Sequence, residues 1–317
     1  MAATPATASL AEPVGHGVYA VDGGYIRDGI AAIHIVRAGT VSYVVDTGTF
    51  VSVPRVLAAL DSLGIARTSV SHVILTHIHL DHAGGAGALM QALPDADLVV
   101  HPRGARHMAD PSRLVSGSMA VYGETAFRAL FGHIVPVDAE RIIETADNDE
   151  IQVGDRVLRF LHTPGHAKHH HCIVDDVAGG VFTGDSFGIA YRSLRTPHGP
   201  FLFPTTTPVH FDPDDAHESI ERIVSTGHST AWLGHYSRVD DIAALAPQLH
   251  HDLDAFVAIA APGRSVEAVE SDLFAHLNAR AEAMGHRGSL AERQQAFSLD
   301  ARLNAQGLVY WRSQQAR

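Results

Sequence analysis

The stretch SHVILTHIHLDHAGG, residues 71–85, places a short apolar run directly before a dense group of polar side chains. Three histidines and one aspartate follow the run within six positions: His77, His79, Asp81 and His82. Alternate side chains leave the same face of extended backbone, so His77 and His79 project together. The turn that follows brings Asp81 and His82 to an adjacent position. Since unpaired groups of this kind are costly to bury, the stretch predicts two ligands for each of two metal ions.

The composition bounds the class of protein. The chain has 317 residues, of which 46% are hydrophobic and 18% charged, which is typical of a globular protein with a sizeable core. A net charge of -12 argues against nucleic acid or a membrane as partner. One cysteine, Cys172, excludes an intrachain disulfide and Cys-rich zinc sites, and we expect it to be buried. With no signal-peptide pattern and no long apolar run, we expect a cytoplasmic protein.

The order of predicted elements indicates an α/β fold. Residues 1–13 are expected to form a flexible tail, residues 14–245 a catalytic domain and residues 246–317 a helical extension. Within the domain, a strand meander and a helix precede the histidine cluster. Further predicted elements are a helical insertion at 112–132, strands at 133–137 and within 141–185, a loop at 187–212, a helix at 212–226 and a last strand at 230–235. This order predicts a four-layer αββα sandwich.

The extension carries its own helix signals. Ser265 precedes one amphipathic stretch, and Ser289 with Glu292 forms a capping-box pattern that opens another, which Gly307 is expected to end. Residues 299–313 faintly resemble the end of a winged-helix domain. Because the chain is acidic, we expect this segment to serve packing or dimerisation, and a homodimer is compatible with the sequence.

Three more metal-ligand types follow predicted strands elsewhere. His166 follows a Pro-Gly turn, and Asp185 and His235 each follow a glycine. Taken singly, each has an ordinary structural explanation. Together they supply nitrogen and oxygen ligands that would complete the predicted site.

These motifs occur in an order that resembles the metallo-β-lactamase-fold hydrolases. The resemblance covers about residues 15–240 and rests on DTG (with Asp46), THIHLDH, TPGH, TGD and GH. It implies that two divalent ions, zinc most often and otherwise iron or manganese, are bound at one edge of the sandwich. The implied ligands are His77, His79 and His166 for one ion, Asp81, His82 and His235 for the other, and Asp185 between them. Asp46 would orient the site.

Departures from particular subfamilies narrow the activity. Asp185 stands where one class of true β-lactamases has a cysteine, so antibiotic hydrolysis is not expected. His170 would match the second histidine of glyoxalase II-like thioesterases, although the extension lacks a basic arrangement that matches theirs. Lactonases of this family use a tyrosine to polarise the carbonyl group. Tyr191 and Tyr236 are the candidates here, and either could equally be a packing residue.

The predicted function is hydrolysis of an ester-like bond in a small molecule: a lactone, ester, thioester or phosphodiester. A metal-bridging hydroxide would attack, and Asp81 would pass a proton to the leaving group. With Arg195 as the one cation near the site, we expect a neutral ester or lactone rather than a highly phosphorylated substrate. The alternative is a persulfide dioxygenase-like oxidoreductase with one iron on His77, His166 and Asp185. A third interpretation is a non-catalytic binding module in which the metal ions only stabilise the fold.

Overall fold

The computed structural model describes residues 10–315, which form two β-sheets enclosed by helices. The first sheet has seven strands in chain order: β1 Glu12–Gly15, β2 Val18–Asp22, β3 Ala32–Ala38, β4 Val41–Val45, β5 Val70–Ile74, β6 Asp97–Val100 and β7 Ile142–Glu144. The second has six strands in the order β13-β12-β11-β10-β9-β8. Their bounds are β8 Glu150–Val153, β9 Arg156–His162, β10 His171–Asp175, β11 Gly180–Gly184, β12 Thr230–Leu233 and β13 Ser237–Asp240.

The helices lie on the outer faces of the two sheets. They are α1 Val53–Ser62, α2 Leu80–Ala83, α3 Ala86–Ala92, α4 Pro102–Ala109, α5 Ser112–Tyr122, α6 Glu124–Phe131, α7 Pro213–Val224, α8 Ile242–Ile259, α9 Val266–Ala283 and α10 Leu290–Gln315. Among residues 10–315, no helix combines the length and the apolar composition that crossing a membrane requires.

Three buried clusters define the layers. Residues of both sheets, such as Tyr43, Phe160 and Trp232, form the core between them. A second cluster packs α1, α3 and α4 onto the first sheet, and a third packs α7 to α10 onto the second. The αββα sandwich expected from the sequence is therefore confirmed.

Strand direction gathers the polar side chains at one edge. β4 runs parallel to β5, and β11 runs parallel to β12. β9 has the same direction as β11, because both are antiparallel to β10. The carboxyl ends of these five strands therefore face the same edge. The residues that follow them include Asp46, His77, His166, Asp185 and His235.

The predicted segment boundaries differ from the structure at both ends. β1 begins at Glu12, inside the stretch expected to be a tail, whereas residues 1–9 lie outside the described part of the chain. At the other end, α8 begins at Ile242, so the expected boundary after residue 245 falls within a helix. Apolar residues of α8, α9 and α10 join the same buried cluster as β11 and β12. The helical extension thus completes the sandwich core.

Four local expectations were wrong. Residues 133–137 form no strand, because Ile134 and Val137 pack as buried side chains while Val137 N–H donates to the carbonyl of Met108. β12 is followed by the hairpin partner β13 and is not the last strand. Helix α10 continues past Gly307, so the winged-helix resemblance also fails. A Cβ at Gly307 would lie 1.7 Å from the carbonyl oxygen of Thr206, so this glycine permits close packing and does not end the helix.

Candidate metal centre

The structure brings the seven predicted ligand residues together in one buried cluster. His77, His79 and His166, here called the first triad, could hold one ion. Nδ1 of His79 lies 3.0 Å from Nε2 of His77 and 2.9 Å from Nε2 of His166. Asp81, His82 and His235, the second triad, could hold another. There, Nε2 of His235 lies 3.1 Å from Nε2 of His82 and 3.3 Å from Oδ2 of Asp81.

Asp185 lies between the triads. Its Oδ2 is 3.6 Å from Nε2 of His166, and its Oδ1 is 3.3 Å from Nε2 of His82. Oδ1 is buried, and its neighbours are Nε2 of His82 and, at 3.7 Å, Nε2 of His235. A buried carboxylate oxygen is costly unless a cation pairs with it, and in this position either the imidazolium of His82 or a metal ion would do so.

The spacing of the nitrogens also fits metal ligation. Two nitrogens bound tetrahedrally at about 2.0–2.1 Å from zinc lie roughly 3.4 Å apart. The nitrogen pairs of the two triads, at 2.9–3.1 Å, lie a few tenths of an ångström closer than that separation, so a small outward shift would admit an ion. The donor set contains only imidazole nitrogen and carboxylate oxygen, which zinc, iron and manganese all accept. The residues present therefore fit divalent ions.

Asp46 ties the cluster to the ends of two strands. Its Oδ1 accepts a hydrogen bond of 2.8 Å from the backbone N–H of Thr76, and its Oδ2 lies 2.9 Å from Nδ1 of His82. The residue adopts φ 60°, a left-handed conformation that aspartate tolerates better than most residues. This contact turns Nε2 of His82 toward the cluster, which is the orienting role expected of Asp46.

Two further histidines are oriented by a contact to the ring nitrogen that faces away from the cluster. Nδ1 of His235 donates to the carbonyl of Ile30 at 2.8 Å, so Nε2 of His235 is the nitrogen that faces the cluster. Nδ1 of His77 lies 3.1 Å from Oγ1 of Thr76. These contacts fix the ring planes before any ligand arrives.

The histidines of the two triads differ in the direction of their pKa shifts. Burial lowers the pKa of His77 well below its usual value and that of His79 to about 3, so both rings are neutral at pH 7. Burial acts in the same direction on His82, but the carboxylates of Asp185, Asp81 and Asp46 outweigh it and raise the pKa of His82 well above its usual value. An ion entering the second triad would therefore displace a proton.

The run of histidines at 169–171 supports the cluster from outside. Nε2 of His170 accepts a hydrogen bond from the backbone N–H of Asp185 at 3.3 Å. His171 turns the other way, and its Nε2 donates to the carbonyl of Leu75 at 2.7 Å. The ring of His169 packs 5.3 Å from that of His79.

The two tyrosines singled out from the sequence have different surroundings. Tyr191 is buried with its ring centroid 6.3 Å from that of His235, and its hydroxyl donates to Oδ1 of Asp300 at 3.1 Å. The ring of Tyr236 lies under the guanidinium of Arg192, 4.1 Å away, and its hydroxyl bonds Asp22. The structure brings Tyr191 to the cluster, whereas the partners of Tyr236 lie outside it.

Sequence reasoning missed three residues beside the centre. Asp300, on α10, is the partner of Tyr191, and burial raises its pKa to about 7. Tyr25 and Tyr122 share a hydrogen bond, and after burial the charge of Asp81 is the next largest cause that raises the pKa of each. All three residues come from segments distant from the motifs, so no spacing pattern signals them.

A family model described as the Metallo-beta-lactamase superfamily matches residues 26–235, which include all seven clustered residues. The chain belongs to this superfamily. Its members typically bind metal ions, and the two triads could hold them.

Individual relatives are distant. A metallo-β-lactamase fold-containing protein of Sulfurisphaera tokodaii, ST1585, is 27% identical over 195 residues, which cover 56% of this chain and 68% of that protein. The acyl-coenzyme A thioesterase MBLAC2 of Gallus gallus is 28% identical over 180 residues, covering 55% of this chain and 64% of that protein, a little under two thirds of its length. The crystal structure of the family protein TTHA1429 from Thermus thermophilus superposes with a TM-score of 0.65 at 18% identity, covering 95% of this chain and 94% of that one. This last likeness shows the fold.

Proposed function

We propose that this chain is a hydrolase with two metal ions, one on each triad, and with Asp185 shared between them. The observation that carries the proposal is the position of Asp185, whose two buried oxygens face one triad each. Ions held in this way polarise a carbonyl oxygen and lower the pKa of bound water to about 7. A mononuclear iron enzyme would need only His77, His166 and Asp185, which would leave the second triad without a role.

The chain's own residues would divide the remaining work. Asp185 would fix the separation between the triads. The carboxylate of Asp81, 3.3 Å from Nε2 of His235, would accept a proton from the attacking water. The hydroxyl of Tyr191, now directed at Asp300, would be able to turn its proton toward a substrate oxygen.

A thioester is the substrate class that we favour, because its leaving group makes the smallest demand on an acid in the site. A thiolate leaves without a proton, because thiols have pKa values of about 8.5, whereas an alkoxide needs one. The relative named as an acyl-coenzyme A thioesterase agrees with this choice.

The test is metal content together with thioester hydrolysis. Protein reconstituted with zinc should hold two ions per chain and hydrolyse an acyl thioester. His79→Ala and His235→Ala should each retain about one ion and lose most activity. His228→Ala removes a histidine that pairs with Asp176 away from the centre and should change neither. A single ion in the reconstituted wild type, or no thioester turnover with both ions bound, would contradict the proposal.

A further inference from the structure

A cavity of about 370 Å³ lies between the segment that follows Tyr191 and the α9–α10 turn. Three segments supply its cationic lining: Arg27 from the β2–β3 connection, Arg195 from the turn after Tyr191, and Arg287 from the α9–α10 turn. His286 also lines the cavity, but its Nδ1 accepts the backbone N–H of Gly288 and its Nε2 donates to the carbonyl of Ser193. The fold brings these cations together from segments far apart in the sequence. The size falls within the range of small-molecule pockets, so the cavity could hold a substantial ligand group.

Its arginines are available to a ligand. Within residues 10–315, the guanidinium groups of Arg27, Arg195 and Arg287 make no hydrogen bond, close ion pair or ring contact, and Arg195 and Arg287 are exposed. By contrast, Arg192, three residues before Arg195, pairs with Glu12.

The one carboxylate in the lining is already engaged. Glu292 accepts hydrogen bonds of 2.7 and 2.9 Å from the backbone N–H and the hydroxyl of Ser289. The chain has a net charge of -12, so a cavity with three unengaged guanidinium groups is a positively charged region on an otherwise acidic protein. Such groups bind phosphate or carboxylate through paired N–H donors.

The cavity adjoins the metal centre along one face of α10. Ala296 lines the cavity, and Asp300, one helical turn later on the same face, accepts the hydrogen bond from Tyr191. Burial raises the pKa of Asp300, while the charges of His235 on one side and Arg27 on the other both act to lower it. Asp300 therefore lies within electrostatic reach of both the second triad and the cavity.

Resting on the thioesterase function proposed above, we propose that this arginine cavity binds a phosphate group of the carrier to which the leaving thiol belongs. The acyl group would lie at the metal centre, and the carrier would extend past Tyr191 toward Arg195 and Arg287. The sequence led us to expect a neutral substrate because Arg195 was the one cation in view. Folding adds Arg27 and Arg287 beside it.

Three thioesters of the same acyl group test this proposal: acyl-pantetheine, acyl-4′-phosphopantetheine and acyl-coenzyme A. The metal-loaded wild type should hydrolyse the two phosphorylated substrates with the higher kcat/KM. The double variant Arg195→Gln/Arg287→Gln should lose about tenfold or more on those substrates, mainly through KM, and keep its rate on acyl-pantetheine. Arg302→Gln, an exposed arginine of α10 that pairs loosely with Glu270, is the matched control and should behave as wild type.

The substrates also separate the two sources of phosphate. A loss shared by both phosphorylated thioesters assigns the cavity to the 4′-phosphate, whereas a loss confined to acyl-coenzyme A assigns it to the phosphates of the nucleotide. Equal kcat/KM for all three thioesters, with no effect of the double variant, overturns the proposal.

Calorimetry gives a readout independent of activity. The thiol-free probes 4′-phosphopantothenate and adenosine 3′,5′-bisphosphate should bind the wild type, and binding of at least one should weaken about tenfold in the double variant. If no thioester is hydrolysed, the proposed function fails. Probe binding that the double variant loses would then still establish an anion site, and probe binding that it retains would exclude one.

Discussion

Oδ2 of Asp46 lies 2.9 Å from Nδ1 of His82, and Oδ1 of the same carboxylate accepts the backbone N–H of Thr76 at 2.8 Å. One side chain at the end of β4 thus holds a ring of the second triad and the start of the loop that carries the first. The two triads are coupled through this carboxylate, so its loss should disturb both.

Asp46→Asn tests that coupling. An amide keeps the shape of the side chain but offers one acceptor oxygen in place of two, so either Thr76 or His82 loses its partner. We expect the affinity for zinc to fall about 10- to 100-fold, with the fold retained. Competition with a chromogenic chelator measures this change. Asp28→Asn, at an exposed carboxylate that pairs with Arg55, is the control, and equal affinity in both variants would refute the coupling.

Tyr191→Phe and Tyr236→Phe form a matched pair. Tyr191 has its hydroxyl beside Asp300 and its ring near His235, whereas Tyr236 is engaged by Arg192 and Asp22. Removing the Tyr191 hydroxyl should lower kcat by about tenfold or more, as loss of a donor to the developing oxyanion does. Tyr236→Phe should leave kcat within about twofold. Steady-state kinetics at saturating thioester measures both values of kcat. A larger loss in Tyr236→Phe than in Tyr191→Phe would contradict this assignment.

Two glycines within helices should respond to alanine in opposite ways. Gly117, in α5, has nothing within 4 Å of an added Cβ, so Gly117→Ala should raise the free energy of unfolding by about 0.5–1 kcal/mol. Gly307, in α10, would place the Cβ 1.7 Å from the carbonyl oxygen of Thr206, so Gly307→Ala should lower it by at least about 2 kcal/mol. Urea denaturation measures both, and a stabilised Gly307→Ala would mean that α10 packs differently.

His34 should make stability depend on pH away from the metal centre. Burial lowers its pKa to about 3, and its Nε2 lies 3.3 Å from Oγ of Ser237. Because the unfolded chain binds this proton below about pH 6.5 and the folded protein does not, stability falls as pH decreases from about 6.5 toward 3.

This contribution is about 1.4 kcal/mol per pH unit. Between pH 6 and 4.5, wild-type unfolding free energy should therefore drop roughly 2 kcal/mol more than that of His34→Asn, in denaturant titrations at matched metal content. His16→Asn, at an exposed histidine, should follow the wild type.

Much of the centre was predictable because its residues follow strands. An apolar run that ends in a glycine or a turn reveals the end of a strand, and strands of one direction bring such ends together. His166, Asp185 and His235 could therefore be grouped with the cluster at 77–82 although they lie far from it in sequence. The histidines of these turns could be assigned as metal ligands without further information, because imidazole is the chemically distinctive group there.

What depends on packing between distant elements could not be predicted. Asp300 reaches Tyr191 only because α10 lies across the second sheet, and an aspartate within a helix has no pattern that distinguishes it from a surface residue. Tyr236 was selected because it follows His235, yet in the turn between β12 and β13 its side chain contacts Arg192 and Asp22 instead of the cluster. Gly307 was read as a helix end because glycine often is one, whereas its contact with Thr206 is visible only after folding.

Helix α10 follows all the clustered residues in chain order, and it holds the loop that backs the first triad. Oδ1 of Asn304 accepts the backbone N–H of Thr206 at 2.6 Å, while Oγ1 of the neighbouring Thr205 lies 3.4 Å from Nδ1 of His166. All seven clustered residues are translated before this helix. During synthesis the nascent chain therefore carries its full ligand set without the helix that braces it, and the centre reaches its final geometry only after translation has passed Asn304.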